Sequence, residues 1–196
     1  MSNILIFYSF YKSFIDLVNE PEMKYYFISG LTVGFIIADF MAMFVHYVAD
    51  NYFSEDTPII GETIHFFREH HDKVYKLLER NVVESNWEIC IVNVPYALLL
   101  YLYNNNLFVD GLLITSLIFS TYATEIHKYT HKHKNHNYFF IDYYYHNEHH
   151  KNHNKNYSLI TKWQEYLLDK IYFFEIFEYM VYKLFSVKAN YARNNY

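Results

Sequence analysis

A chain of 196 residues with 53% hydrophobic and 22% aromatic side chains has ample material for one buried or lipid-facing core. Only four glycines and three prolines exclude a turn-dense β-rich fold and leave helices. The net charge of −5 carries no basic excess, so no nucleic acid partner is expected, and the single Cys90 excludes a disulfide framework or a cysteine-based zinc site.

The N-terminal stretch "NILIFYSFYKSFIDLV" is apolar but short and interrupted. It lacks a basic start and a small-residue cleavage site, so residues 1–24 are expected to form an interfacial helix rather than a removable leader. From Tyr25 to Val48 the chain then runs apolar with only Asp39 and His46 ionisable. That is enough helix to span a hydrocarbon core of about 30 Å. A second apolar run, Ile89 to Tyr103, carries Pro95 and ends at the turn Asn104-Asn105-Asn106; a third follows from Leu107 to about Ile126. The pair reads as a helical hairpin across the membrane.

Three spans put the loop from Asp50 to Glu88 and everything after His127 on the same side. All lysines and arginines except Lys12 and Lys24 fall there. The positive-inside tendency makes that face cytoplasmic. After Tyr157 the segment "YSLITKWQEYLLDKIYFFEIFEYMVYKLF" mixes charges with apolar residues at helical spacing, as expected of a helix lying on the membrane surface or packing on the bundle. The expected class is therefore an all-α membrane bundle, with spans near 25–48, 89–103 and 107–126, a histidine-rich cap over 127–156, and a tail over 178–196.

The histidines fall in short groups that respect this topology. His46 ends the first span, His70 and His71 lie in "FFREHHDK", His127 and His131 leave the third span, and His146, His149, His150 and His153 lie in "IDYYYHNEHHKNHN". Spacings of four (127/131, 146/150) and three (146/149) place both imidazoles of each pair on one helical face. Imidazole suits iron, zinc or copper, and eight imidazoles are too many for one ion, so two metals in a helical cage is the economical reading. His133 and His136 are better explained by composition, and His65 as a packed or surface residue.

Asp39, His46 and Asp50 share a stripe of the first span. An acid inside a span is costly and normally faces a bundle interior or a site. Asp50 is expected to orient an imidazole by accepting its second N–H or to add a ligand, and Asp39 to act similarly or line a substrate channel. A zinc hydrolase would need a carboxylate base such as Glu69 or Glu148, and no HExxH is present.

From about Ala38 to about Phe177 the sequence resembles the lipid desaturase-domain family, which includes Kua-like plasmanylethanolamine desaturases and a plant plastid desaturase of phosphatidylglycerol acyl chains. The pieces occur in order: "ADF" at Ala38, His46 with Asp50, "PIIG" at Pro58, "FREHH" at Phe67, Glu84-Ser85-Asn86, "IHKYTH" at Ile126, "HNEHH" at His146 and "LITKW" at Leu159. The resemblance implies an integral membrane, di-iron, O2-dependent lipid desaturase. Its ligands would be His46, His70, His71, His127, His131, His146, His149 and His150. Asp50 carries over as the family's aspartate, while Asp39, Asn86 and His153 are supporting or additional candidates. It implies electrons from a cytochrome b5-type or ferredoxin-type carrier, a membrane phospholipid as substrate and, in a eukaryote, the endoplasmic reticulum. Vinyl-ether formation on an alkyl-ether ethanolamine phospholipid is the first expectation. An acyl-lipid desaturase, a fatty acid hydroxylase and an inactive homologue that binds lipid or metal are the alternatives. Lys73, Asn81 and Tyr145 depart from the family pattern.

Overall fold

The computed structural model describes residues 2–58, 60–102, 106–133, 141 and 143–193. Its described residues form nine α-helices and no strand: α1 (Ser2–Asn19), α2 (Lys24–Asn51), α3 (Gly61–Asp72), α4 (Val74–Glu79), α5 (Val82–Leu102), α6 (Leu107–Lys132), α7 (Tyr143–Lys151), α8 (Trp163–Lys170) and α9 (Phe173–Phe185). They divide into two compact units. The first comprises residues 1–41 and 82–124, the second residues 42–81 and 125–196.

In the first unit α2 and α6 approach until their backbones nearly touch. A Cβ at Gly30 would land on the Phe108 carbonyl, one at Gly34 on the Leu112 carbonyl, and one at Gly111 would lie 2.5 Å from the Phe27 carbonyl. Small residues four apart are how helices pack closely in lipid, where no hydrophobic effect drives them together. Phe27, Ala97, Leu107, Ile114 and Leu117 fill the surrounding core. Polar groups are matched across it: Asn93 donates to Ser120 and Thr121 at 2.9 and 3.0 Å, and Ser13 of α1 donates to Asp110 at 3.1 Å.

Two stretches, Pro21–Asn51 and α6, are long and apolar enough to cross a membrane. The 28 residues of α2 rise roughly 42 Å. Residues 89–102 of the expected second span lie within α5, which continues through Pro95, and Tyr103 lies outside the described residues. Of the turn that should follow them, Asn104 and Asn105 lie outside the described residues.

The second unit is aromatic and polar. Tyr47, Phe174 and Tyr157 are wholly buried, with Tyr47 4.7 Å from Phe174 and 5.0 Å from Tyr157 between ring centroids. Each such ring contributes about 2–3 kcal/mol by burial. The end of α2 is capped from α3: Arg68 donates to the carbonyls of Ala49 and Asp50 at 3.0 and 3.1 Å, and to that of Phe53.

The stretch expected as a loop, 50–88, instead holds α3, α4 and the start of α5. Its short helices have mixed polarity, but Glu62 in the first turn and the buried Ile64 and His70 give α3 an acidic start and an inward face. The third apolar helix likewise runs on to Lys132, so His127 and His131 lie on one continuous helix. The boundary expected at residue 177 falls inside α9.

Candidate metal centre

All eight histidines of the expected set, with Asp50, come together inside the second unit. They form two groups. His70, His127, His131, His146 and His150 make one; His46, Asp50, His71 and His149 make the other. Within each group one donor atom per residue lies within 4.8 Å of every other. The helices explain the convergence: α6 contributes two imidazoles one turn apart, α7 contributes three at positions 146, 149 and 150, α3 a pair, and α2 the i, i+4 pair His46 and Asp50.

In the five-imidazole group the Nε2 atoms crowd together. His127 and His146 are 2.7 Å apart, and His131 is 3.1 Å from each of them. His150 Nε2 lies 3.1 Å from that of His146. A neutral imidazole nitrogen either donates or accepts. Three atoms in a triangle cannot all be paired under that rule, because two must share a role. At ligand bonds of about 2.1 Å, neighbouring donors of one ion stand about 3.0 Å apart in an octahedral arrangement and about 3.4 Å apart in a tetrahedral one. The spacing observed is that of a ligand set.

The second nitrogens settle which lone pairs point inward. His46 Nδ1 donates to the Tyr157 carbonyl and His149 Nδ1 to that of Lys155, both at 2.8 Å. His150 Nδ1 donates to the His71 carbonyl at 3.1 Å and His70 Nδ1 to that of Phe67. A carbonyl only accepts, so each of these four Nδ1 atoms holds the proton and each neutral ring turns a bare Nε2 lone pair inward. The Nε2 atoms of His46 and His149 lie 3.4 and 3.3 Å from the buried Asp50 Oδ2, with His71 Nε2 at 3.8 Å. Two bare lone pairs facing a carboxylate repel. His46 Nε2, both Asp50 oxygens and His70 Nε2 are buried without a hydrogen-bond partner. A cation held among them satisfies all of these atoms, so the residues fit a metal at both groups.

Outside the apolar helices, burial pushes the His70, His71 and His146 imidazoles well down from their usual range, and neighbouring imidazoles push the same way. His150 is lowered to about 4, again chiefly by burial. All four are neutral near pH 7, the state in which imidazole binds a metal.

Asp50, expected behind the ligands or as an extra one, stands among the donors, and backbone carbonyls hold the second N–H groups. His153 flanks the site, its Nε2 donating to the His150 carbonyl at 3.1 Å. Asp39 and Asn86 are buried in the first unit and belong to neither donor group. His65 pairs with Glu55 at 2.9 Å on the surface, His133 packs at a tilt against Tyr129, and His136 lies outside the described residues. The two carboxylates a hydrolase would need are bound elsewhere: Glu69 by Lys73 and Lys76, Glu148 by Lys151. The Lys73 departure thus makes a surface ion pair with Glu69, and the Tyr145 hydroxyl donates to Glu165 at 2.9 Å. Arg68 was not singled out from the sequence, although "FREHH" contains it; its capping bonds fix the helix end that carries Asp50.

The lipid desaturase domain family matches residues 35–192. A plasmanylethanolamine desaturase of Myxococcus xanthus is 33% identical over 73 residues, covering 37% of this chain and 26% of that protein. Plasmanylethanolamine desaturase 1 of Mus musculus is 34% identical over 118 residues, 53% of this chain and 42% of its own length. The alignments therefore span less than half of either relative. No solved structure matches the chain.

Proposed function

The chain belongs to the lipid desaturase domain family, and from that premise we propose that it introduces a C=C bond into a membrane lipid, forming the vinyl ether of an alkyl-ether ethanolamine phospholipid. The observation that carries this reading is the pair of donor groups, eight imidazoles and Asp50, brought together in the second unit with five of the imidazoles and Asp50 buried. The two relatives named as plasmanylethanolamine desaturases support the substrate.

In the reaction two C–H bonds break on adjacent carbons beside the ether oxygen and one C=C forms. O2 is reduced to two waters by those two hydrogens, two further electrons and two protons. Side chains have no means of oxidising an alkyl chain, and iron at the two groups would supply that oxidising power when bound. The residues' part is to hold and orient. Carbonyls fix His46, His70, His149 and His150 with Nε2 inward, Asp50 adds a negative charge to one group, and burial keeps the site dry. A cytochrome b5-type or ferredoxin-type protein is the proposed electron source.

The proposed setting is integral to a membrane, with α2, α5 and α6 as spans and the histidine face cytoplasmic, in the endoplasmic reticulum of a eukaryotic cell. The apolar lengths of α2 and α6 support it. So does the outer face of α8 and α9, where Tyr166, Leu167, Ile176, Tyr179, Leu184 and Phe185 are exposed beside Lys170, Lys183 and Lys188.

The test supplies an alkyl-ether lipid and an electron donor and measures acid-labile vinyl ethers by mass spectrometry. Product from the wild type and none from His149→Ala is expected. Product that survives both His127→Ala and His149→Ala would sink the metal assignment. New acyl double bonds without vinyl ethers would reassign the substrate.

A further inference from the structure

We infer that Glu165 and Arg193 form a buried clamp on the segment Asn154–Ser158, whose carbonyls position His46 and His149, so that both act as positioning residues for the three-histidine, one-aspartate group. The inference rests on reading that group as a metal site.

Residues 154–158 carry two of the carbonyls that orient this group: Lys155 accepts from His149 and Tyr157 from His46, each at 2.8 Å. The segment belongs to no helix, and Asn156 sits at φ 62°, a left-handed conformation that asparagine tolerates. Such a segment keeps its carbonyls in place only if something holds it. Glu165, with no exposed surface, accepts the backbone N–H of Tyr157 at 3.0 Å on one oxygen and that of Ser158 at 2.8 Å on the other. One carboxylate thus fixes the peptide groups on both sides of the Tyr157 residue whose carbonyl orients His46.

Arg193 completes the clamp from 28 residues further along the chain. Its Nε donates to the Asn154 carbonyl at 2.7 Å, its Nη1 to Asp169 at 2.6 Å, and its Nη2 lies 3.5 Å from Glu165. The guanidinium stands 4.5 Å over the Phe174 ring, so the charge is both paired and packed. The residues just before it hold the other side of the same group: Asn190 donates from its amide to the Asp50 carbonyl at 2.9 Å, and the Tyr191 N–H to Asn51 at 2.8 Å. What reads in sequence as a tail is a brace for the His46/Asp50 end of α2. The five-imidazole group takes its orienting carbonyls from Phe67 and His71 instead. Glu165 also accepts the Tyr145 hydroxyl at 2.9 Å, but the clamped segment carries none of that group's orienting carbonyls, so the clamp should act chiefly on one group.

Full-length protein, purified without metal, is titrated with Co(II) and followed by its visible d–d absorption. The wild type is expected to take two equivalents. Glu165→Ala should bind one as the wild type does and the second about 10- to 100-fold more weakly. Glu165→Gln, which still accepts one N–H, should recover part of the loss, and Arg193→Met should show the same selective weakening to a smaller extent. Two equivalents at wild-type affinity in Glu165→Ala would overturn the inference. Should Glu165→Ala lose both sites through misfolding, Glu165→Gln decides: selective weakening supports the clamp, and equal or no weakening overturns it. A wild type that takes up no Co(II) would bring down the metal reading, and the clamp with it.

Discussion

The two donor groups lie in one unit and both draw histidines from α3 and α7, yet they are chemically unlike. One offers five neutral imidazoles; the other offers three imidazoles and a carboxylate. A divalent ion would leave the first group with its full charge and the second with one unit less. The first has a donor to spare for a four-coordinate ion, the second none. Two sites built this way should differ in tolerance of ligand loss, in response to acid and in their cost to the empty protein.

Ligand loss should separate them most. His71→Ala leaves the smaller group with three donors, and this substitution should abolish product and weaken one metal equivalent by more than about 100-fold, beyond the range for supporting residues. His131→Ala leaves four imidazoles in the larger group, so two equivalents should still bind and residual product should be measurable. Iron counted per chain after dialysis, beside the lipid assay, reads both. Equal losses in the two variants would break the comparison.

Acid should act mainly on the larger group, which holds three of the four imidazoles pushed down outside the apolar helices: His70, His146 and His150. Below pH about 6.5 the unfolded chain binds these protons and the folded chain does not, so stability of the metal-free protein falls as pH falls. His150, folded at about 4, contributes on the order of 3 kcal/mol that is lost between pH about 6.5 and 4. Unfolding midpoints taken across that window should drop steadily, with little change above pH 7.

Much of this arrangement was legible in the chain, and the reasons are local. Spacings 127/131 and 146/149/150 fix which imidazoles share a helical face, and His46 with Asp50 is an i, i+4 pair. The partition into five and four was not legible, because it depends on where α3 places His70 against His71, adjacent residues that go to different groups. Nor were the orienting carbonyls, since backbone acceptors carry no signature in sequence. Arg68 and Glu165 are charges inside amphipathic stretches, where a solvated face is the ordinary reading. The close approach at Gly30 and Gly34 did leave a signal, two glycines four apart in an apolar run, and it bears on packing in the first unit, which holds none of the donors.

Asp50→Asn should sharpen the contrast with opposite signs. In the empty protein Asp50 is a buried carboxylate among imidazoles whose lone pairs face it, an arrangement that costs stability. Replacing it with the neutral amide should raise the metal-free unfolding midpoint, by about 1–3 kcal/mol in stability. The same change removes the charge that holds a cation, so the stabilisation gained on adding metal should shrink. No single substitution in the five-imidazole group should produce this inversion, because no charge is there to remove.

The smallest effect should fall on the histidines at the border of the site. His153 contributes no donor; its Nε2 holds the His150 carbonyl, and its ring lies 4.6 Å from that of His71. His153→Ala should leave two metal equivalents and weaken them by no more than about tenfold, the lower edge for a supporting residue. His65, half exposed and paired only with surface carboxylates, sets the baseline. His65→Ala should change stability by less than about 1 kcal/mol and metal content not at all. A His153 variant that lost a full equivalent would move this ring into the four-donor group as a fifth donor. The two groups would then be equal in number and differ only in the charge of Asp50.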